Sequence, residues 1–217
     1  NLGLYFLSIG DYKNGWPKYE LREKIINKSS TSKIKLKKNI WDGLNNDKKL
    51  IVYAEQGVGD EIIISSVFND LKKIHKDIEI TCDKRLKTIF TRSFSNIKFT
   101  NRDQEIDTNN NYFINSFSLG KILRNKKSDF NLSLKSWIST DKIKDKKIAA
   151  KFSKNNKIKI GISWYSSGLA KKNIDLENLC KAIPLNNFEL INLQYSVTKI
   201  QIDNFYKKTK RKIKYFD

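Results

Sequence analysis

Short apolar runs alternate along this chain with segments whose apolar residues recur every three or four positions. The run 50–54 is continuous and apolar, which is typical of a strand buried on both faces. Ile64, Phe68 and Leu71 then recur at helical spacing. This alternation predicts an α/β fold with a mostly parallel sheet covered on both faces. The predicted strands are 49–54, 78–82, 97–100, 111–114, 157–164, 188–193 and one starting near 213, and the predicted helices are 60–75, 84–92, 117–125, 141–153, 174–183 and 198–209.

The N-terminal residues carry a different pattern, with aromatic and small residues that predict two short helices broken near Gly10 and Asp11. Trp16 and Tyr19 either fill the core of this hairpin or dock it onto the domain that follows. The predicted domains are a helical hairpin at 1–27, a polar linker at 28–48, a Rossmann-like domain at 49–140, and a connecting helix with a partial second Rossmann-like domain at 141–217.

The segment 55–60, Glu-Gln-Gly-Val-Gly-Asp, joins the first predicted strand to its helix. In open α/β sheets ligands bind at this carboxyl edge. We expect Gly57 and Gly59 to let the backbone turn tightly and a ligand approach closely. Asp60 is either a general base or a cap of the helix that follows. Glu55 and Gln56 either contact a ligand or satisfy backbone groups of the neighbouring loop.

A second candidate site follows the strand predicted at 157–164. The loop after it offers hydroxyls, backbone N–H groups and a cation next to a predicted helix N-terminus, a combination that suits a diphosphate. Neither a P-loop nor a G-x-G-x-x-G pattern is present, so a solvated lysine-rich loop is the alternative. The residues concerned are Ser166, Ser167, Gly168 and Lys171.

The chain is strongly basic, with 43 Lys and Arg against 23 Asp and Glu and a formal charge of +20. Only 6 of the 43 are Arg, which leaves 43 − 6 = 37 Lys. Base readout favours Arg, so a nucleic-acid partner is disfavoured. An anionic substrate or an anionic membrane surface explains the charge equally well.

Other residue types narrow the class of protein. No apolar stretch approaches the roughly 18 residues that span a bilayer, and no secretory signal pattern is present. Cys82 and Cys180 are too few and too far apart for a disulfide framework or a metal site. We therefore expect a cytoplasmic, metal-free protein. Its positive charge is also compatible with a peripheral position at the inner face of the membrane. The only histidine, His75, is expected to be solvated at the end of a helix.

Several blocks in order resemble one family. Together they look like the region that joins tetratricopeptide repeats to a glycosyltransferase of the heptosyltransferase-like type, which has the GT-B fold. The blocks are Gly10-Asp11-Tyr12 with Gly15-Trp16, Tyr19-Glu20 and Arg22, then Trp41-Asp42-Gly43, the segment 55–60, Gly161-Ile162-Ser163-Trp164, and Leu193-Gln194.

The resemblance implies two Rossmann-like domains, the first holding an acceptor and the second a nucleotide-sugar, without a metal or other cofactor. It places the general base at Asp60 and the donor phosphates at Ser166, Ser167 and Lys171. We expect Glu55, Gln56, Gly57 and Gly59 to contact a glycan or protein acceptor, and Gly168 to join the phosphate loop.

The sequence departs from that family in two ways. The later part of the donor domain is absent, so we expect a fragment, with further repeats before it. An Arg-Ser pair frequent in relatives is replaced around 172–175. Two other classes stay open: a non-catalytic interaction module and, less favoured, a basic nucleic-acid-binding protein.

Overall fold

The computed structural model describes residues 2–22, 39–44, 47–106, 110–130, 136–152, 155–166, 173–184, 187–195, 197 and 199–216. They divide into two units, Asn1–Lys147 and Ile148–Asp217. Within the predicted linker, residues 28–38, 45 and 46 lie outside the described residues.

The first unit begins with a two-helix hairpin, α1 (Leu2–Ser8) and α2 (Tyr12–Tyr19), followed by a 3-10 turn at Glu20–Arg22. The break falls at Gly10, whose φ is +81°, and Asp11 caps α2 by accepting from the Asn14 N–H at 3.1 Å. Gly3 lets the helices approach, because a Cβ there would lie 2.6 Å from the Tyr19 backbone nitrogen. The predicted two short helices are therefore present.

Four parallel strands follow, β1 (Leu50–Tyr53), β2 (Ile78–Cys82), β3 (Lys98–Asn101) and β4 (Tyr112–Asn115), in the order β3-β2-β1-β4. Leu50 is in register with Ile78 on one side and Tyr112 on the other. Ile40 forms a parallel bridge with Phe113 beyond β4. All residues of β1 are buried, as its continuous apolar run predicts. All residues of β2 are buried as well, although Glu79 and Thr81 are polar.

The helices of this unit are α3 (Val58–Ile64), α4 (Phe68–Ile74), α5 (Lys84–Ser93) and α6 (Leu119–Leu123). The single helix predicted at 60–75 is wrong in one respect, since a 3-10 turn at Ser65–Val67 separates α3 from α4. The Ser65 hydroxyl donates to the Ile62 carbonyl at 2.7 Å and accepts from the Trp137 indole N–H at 2.9 Å. Such side-chain bonding to the preceding turn bends helices.

The prediction for His75 is also wrong, because its side chain is 1% exposed. The backbone leaves α4 at His75 in an extended conformation, which turns the ring inward. The ring packs edge-on against Trp41, with centroids 5.6 Å apart. Burial lowers the pKa of His75 below 6.5, although Asp77 opposes the shift. Cys82 is fully buried at the end of β2.

The second unit contains a smaller parallel sheet, β5 (Ile158–Ile162), β6 (Phe188–Asn192) and β7 (Ile213–Lys214), in the order β5-β6-β7. Helices α8 (Leu176–Lys181) and α9 (Lys199–Thr209) pack on it, and α7 (Lys142–Ala149) spans the division between the units. Its core contains Ile162, Cys180, Leu190, Ile202, Phe205 and Ile213. The chain therefore belongs to the α/β class, with two parallel sheets compatible with Rossmann-like folds.

Candidate functional site

The turn after β1 is built from a strained residue followed by a helix cap. Ala54 leaves the strand with its N–H bonded to the Thr81 hydroxyl at 2.7 Å. Gln56 has φ +69°, in the left-handed region. Gly57 then adopts an extended conformation, φ −96° and ψ 173°, as the N-cap of α3. The tight turn predicted for the glycines is therefore made by Gln56, and that part of the prediction is wrong.

Asp60 lies at the third position of α3, at the carboxyl edge of the sheet. Its Oδ2 accepts from the Gly57 N–H at 3.1 Å, which satisfies one N–H at the helix start. Its Oδ1 has no hydrogen-bond partner within the described part of the chain. Because the side chain is half-buried, this oxygen is available to a ligand. Asp60 thus caps the helix and still offers an oxygen that can accept a proton.

The two glycines of the turn leave open space. A Cβ on Gly59 would meet no atom within 4 Å, and one on Gly57 would meet only Asp60 Oδ2 at 3.5 Å. Neither residue has a positive φ. Packing and backbone conformation therefore give no reason for glycine at position 59, and the open space leaves room for an approaching ligand.

Glu55 is engaged with the protein itself. Its carboxylate pairs with Arg22, at 2.7 Å from Nη2 and 3.2 Å from Nε, and accepts from the Phe117 N–H at 3.0 Å. The side chain is 8% exposed. Glu55 therefore joins the turn after β1 to the segment after β4 and to the hairpin.

Gln56 is held on both sides. Its carbonyl accepts from Arg102 Nη1 at 3.0 Å, and its side-chain amide lies 3.4 Å from the Tyr19 hydroxyl. The Tyr19 ring stacks on the Arg22 guanidinium at 4.4 Å. Burial raises the pKa of Tyr19, and nearby Glu55 and Asp60 raise it further. The phenol is thus a neutral group beside the candidate base.

Arg102 connects the loops after three strands. It follows β3 and forms ion pairs with Glu61, in the first turn of α3, and with Asp83, directly after β2. Glu61 also accepts from the Asp83 N–H at 2.9 Å. Burial raises the pKa of Glu61, and Arg102 opposes the shift. This clamp fixes the turn after β1 to the rest of the sheet edge.

The strand order places this turn at a topological switch point. From β1 the chain proceeds to β2 and β3 on one side and returns with β4 on the other. The loops after β1 and β4 therefore diverge, and in open α/β sheets ligands bind at this point. Here the hairpin residues Glu20 and Arg22 enter from outside the sheet, and both contact the Ser118 hydroxyl. Sequence reasoning missed Arg22 and Arg102, because nothing in the local pattern around either residue shows its partners.

The second unit contains a buried polar side chain, Gln194, that organises the end of β5. Gln194 is 5% exposed, and its Oε1 accepts from the Ser163 hydroxyl and from the Trp164 and Tyr165 N–H groups at 2.9–3.0 Å. A cavity of about 440 Å³ lies beside it, lined by Trp164, Tyr165, Asn173, Tyr195 and Gln201 among others.

The predicted phosphate loop is described only in part. The Ser166 N–H donates to Asn173 Oδ1 at 2.9 Å, whereas Ser167, Gly168 and Lys171 lie outside the described residues. The role of this loop therefore stays a prediction.

The described residues show the features of neither a metal site nor a membrane span. They contain no group of three His, Cys, Asp or Glu side chains arranged to hold a metal ion. Within the same residues no helix has the length and apolar character needed to cross a bilayer. Cys82 and Cys180 are both buried free thiols, and burial raises the pKa of Cys82 to about 11.

Comparisons with protein-family models, curated proteins and solved structures gave no match to this chain. The geometry of the turn after β1 is therefore the basis on which a function is proposed.

Proposed function

We propose that this chain is part of a cytoplasmic glycosyltransferase of GT-B type that transfers a sugar from a nucleotide-sugar to an acceptor hydroxyl. Asp60 is the general base. The observation that carries the proposal is a carboxylate at the carboxyl edge of a parallel sheet, with one oxygen held by Gly57 and the other without a partner in the described part of the chain.

In the proposed reaction the acceptor oxygen attacks the anomeric carbon of the donor. The bond between that carbon and the diphosphate oxygen breaks, and its electron pair leaves with the nucleotide diphosphate. The hydroxyl proton passes to Asp60 Oδ1, which must come within about 2.6–3.2 Å of the acceptor oxygen. The open space at Gly59 gives the acceptor room to approach. The loop with Ser166, Ser167, Gly168 and Lys171 would receive the diphosphate.

The decisive variant is Asp60→Asn in the intact protein. An amide oxygen still accepts the hydrogen bond from the Gly57 N–H, so the cap and the fold survive. The amide cannot take a proton at neutral pH. We expect transfer from a panel of UDP-, GDP- and ADP-sugars to fall by at least about 100-fold in kcat, the usual scale of a general base. Release of nucleoside diphosphate in the presence of acceptor measures it.

Asp103→Asn is the matched control, because Asp103 is an exposed carboxylate in the turn after β3. It removes the same charge and should leave kcat unchanged. If Asp60→Asn retains the kcat of the wild-type protein, Asp60 is a helix cap and the assignment of the base is wrong.

A second candidate function is a non-catalytic interaction module. It is favoured by Glu55, whose carboxylate is occupied by Arg22 and Phe117 rather than presented to a ligand. An assay of sugar transfer distinguishes the two functions. Sugar transfer by the intact wild-type protein supports the enzyme, and its absence across the donor panel supports the module.

A further inference from the structure

A cavity of about 300 Å³ lies in the first unit. It is bounded by the carboxyl end of β4, the segment 40–42, the 3-10 turn that follows α2, and α6. Its polar wall contains Glu20, Asp42, Asn115 and Ser118, and its apolar wall contains Ile40 and Ile122. This volume is at the lower end of small-molecule sites, which suits a single sugar ring.

Glu20 is fixed in place and has acceptor capacity left. Its carboxylate accepts from Arg22 Nη1 at 2.8 Å and from the Ser118 hydroxyl at 3.0–3.1 Å. A carboxylate offers about four lone-pair sites, so two donors leave room for about two more. The side chain is 26% exposed. Glu20 is thus an oriented acceptor for hydroxyl groups.

Charged side chains stand among the described residues that line the cavity. They are two carboxylates, Glu20 and Asp42, and one ammonium, Lys121. The Arg22 guanidinium is already shared between Glu20 and Glu55. A carboxylate accepts hydrogen bonds and cannot donate them when ionised, so Glu20 and Asp42 suit a ligand with neutral hydroxyl donors.

The apolar wall supplies the other half of a sugar site. Ile40 is 63% exposed although its backbone is bridged to Phe113, so its side chain is held on a fixed backbone. Ile40 and Ile122 can cover the C–H face of a pyranose ring while its hydroxyls meet Glu20 and Asn115. Pockets with apolar walls and a few convergent polar groups are typical of small-molecule recognition.

We propose that this cavity binds one neutral monosaccharide unit. We assign this unit as the acceptor sugar, and that role rests on the proposed function. Binding of the sugar itself does not require transfer. Arg22 contacts both Glu20 and Glu55, and Glu55 begins the turn that carries Asp60. The same ion pairs therefore fix the sugar-binding wall and the turn with the base.

Binding is tested on the full chain without any donor. The probes are the methyl glycosides of glucose, galactose, mannose and N-acetylglucosamine, with inorganic phosphate as the anionic comparison. Titrations are followed by NMR at the Asn115 side-chain amide and the Trp41 indole N–H. We expect saturable shifts with at least one glycoside, a dissociation constant below about 10 mM, and no saturation of these signals by phosphate.

Ile40→Trp fills the cavity from an exposed position and should weaken binding by at least about tenfold. Ile9→Trp is the matched control, because Ile9 is 60% exposed and outside the cavity, and it should leave binding unchanged. Absence of saturation with all four glycosides, or equal affinity in Ile40→Trp, overturns the proposal.

Failure of this site and failure of the proposed function give different results. Glycoside binding that survives in a protein without transferase activity supports the cavity and contradicts the enzyme. Transfer that depends on Asp60 but has an unchanged KM for acceptor in Ile40→Trp supports the enzyme and contradicts the role of the cavity as its acceptor site.

Discussion

Backbone strain in the turn after β1 lies at Gln56. A non-glycine residue at φ +69° costs about 1–2 kcal/mol relative to the right-handed region. Arg102 offsets this cost by bonding the Gln56 carbonyl at 3.0 Å while pairing with the buried Glu61. Strain held by surrounding contacts clusters at functional sites. The conformation of Gln56 therefore supports a site at this turn.

The open space at Gly59 leads to a prediction with two readouts. Gly59→Ala adds a methyl group that meets nothing within 4 Å in a helical backbone. The free energy of unfolding should rise by about 0.5–1 kcal/mol, because alanine has less conformational freedom to lose. Transfer by the intact enzyme should fall, because the methyl group occupies the space proposed for the acceptor. Urea denaturation and a transfer assay measure the two effects.

The proposed role of the space at Gly59 requires both the gain in stability and the loss of transfer. A stabilised Gly59→Ala protein with unchanged KM and kcat would show that no ligand uses this space. A destabilised one would mean that the methyl group meets an obstacle in the folded chain.

Among the helices, α2 packs against α6 through Trp16. Its indole N–H donates to the Arg124 carbonyl at 2.7 Å, just after α6, and its ring lies against Gly120. The alternative in which Trp16 docks the hairpin onto the following domain therefore matches the contacts. Because Glu20 and Arg22 directly follow α2, this attachment also positions the ion pairs around Glu55.

Gly120 is predicted to be intolerant of a side chain. A Cβ there would overlap the Trp16 ring, and overpacking typically costs about 1–3 kcal/mol. Gly120→Ala should lower the free energy of unfolding by that amount, opposite in sign to Gly59→Ala. In a Trp16→Leu background the same change should cost less, because the ring that it meets is gone. A double-mutant cycle by urea denaturation gives the coupling energy; a value near zero would contradict the contact.

For the whole molecule, the local sequence pattern predicted most helices and strands. The features that it missed depend on contacts between residues far apart in the sequence. β1 to β4 fall within a residue or two of the predicted strands, because short apolar segments between helical periodicities are a local property of the sequence. The burial of His75 depends on Trp41, which is 34 positions away, since 75 − 41 = 34. The pairing of Glu55 with Arg22 spans 33 positions. A hydrophobic periodicity does not reveal contacts between residues so far apart in the sequence. The turn after β1 was therefore predicted, but the residues that contact it were not.

The pH dependence of global stability should report on His75, because the chain has one histidine. Burial holds its pKa below 6.5 in the folded state, so the unfolded state binds more protons in the window below that value. The stabilisation is complete above pH 6.5 and is lost as pH falls toward the folded-state pKa. Asp77 and Asp47 favour the protonated ring but do not reverse the direction. Glu61 has a raised pKa and contributes with the opposite sign.

His75→Phe separates these contributions. Phenylalanine keeps an aromatic ring against Trp41 but does not titrate, so Glu61 and every other group remain common to both chains. Between pH 7 and pH 5 the free energy of unfolding of the wild-type chain should fall relative to the variant, with a slope of at most about 1.4 kcal/mol per pH unit for one proton. Urea denaturation at a series of pH values measures the difference. Parallel curves would mean that His75 has the same pKa folded and unfolded, and hence that its ring is solvated in the folded chain.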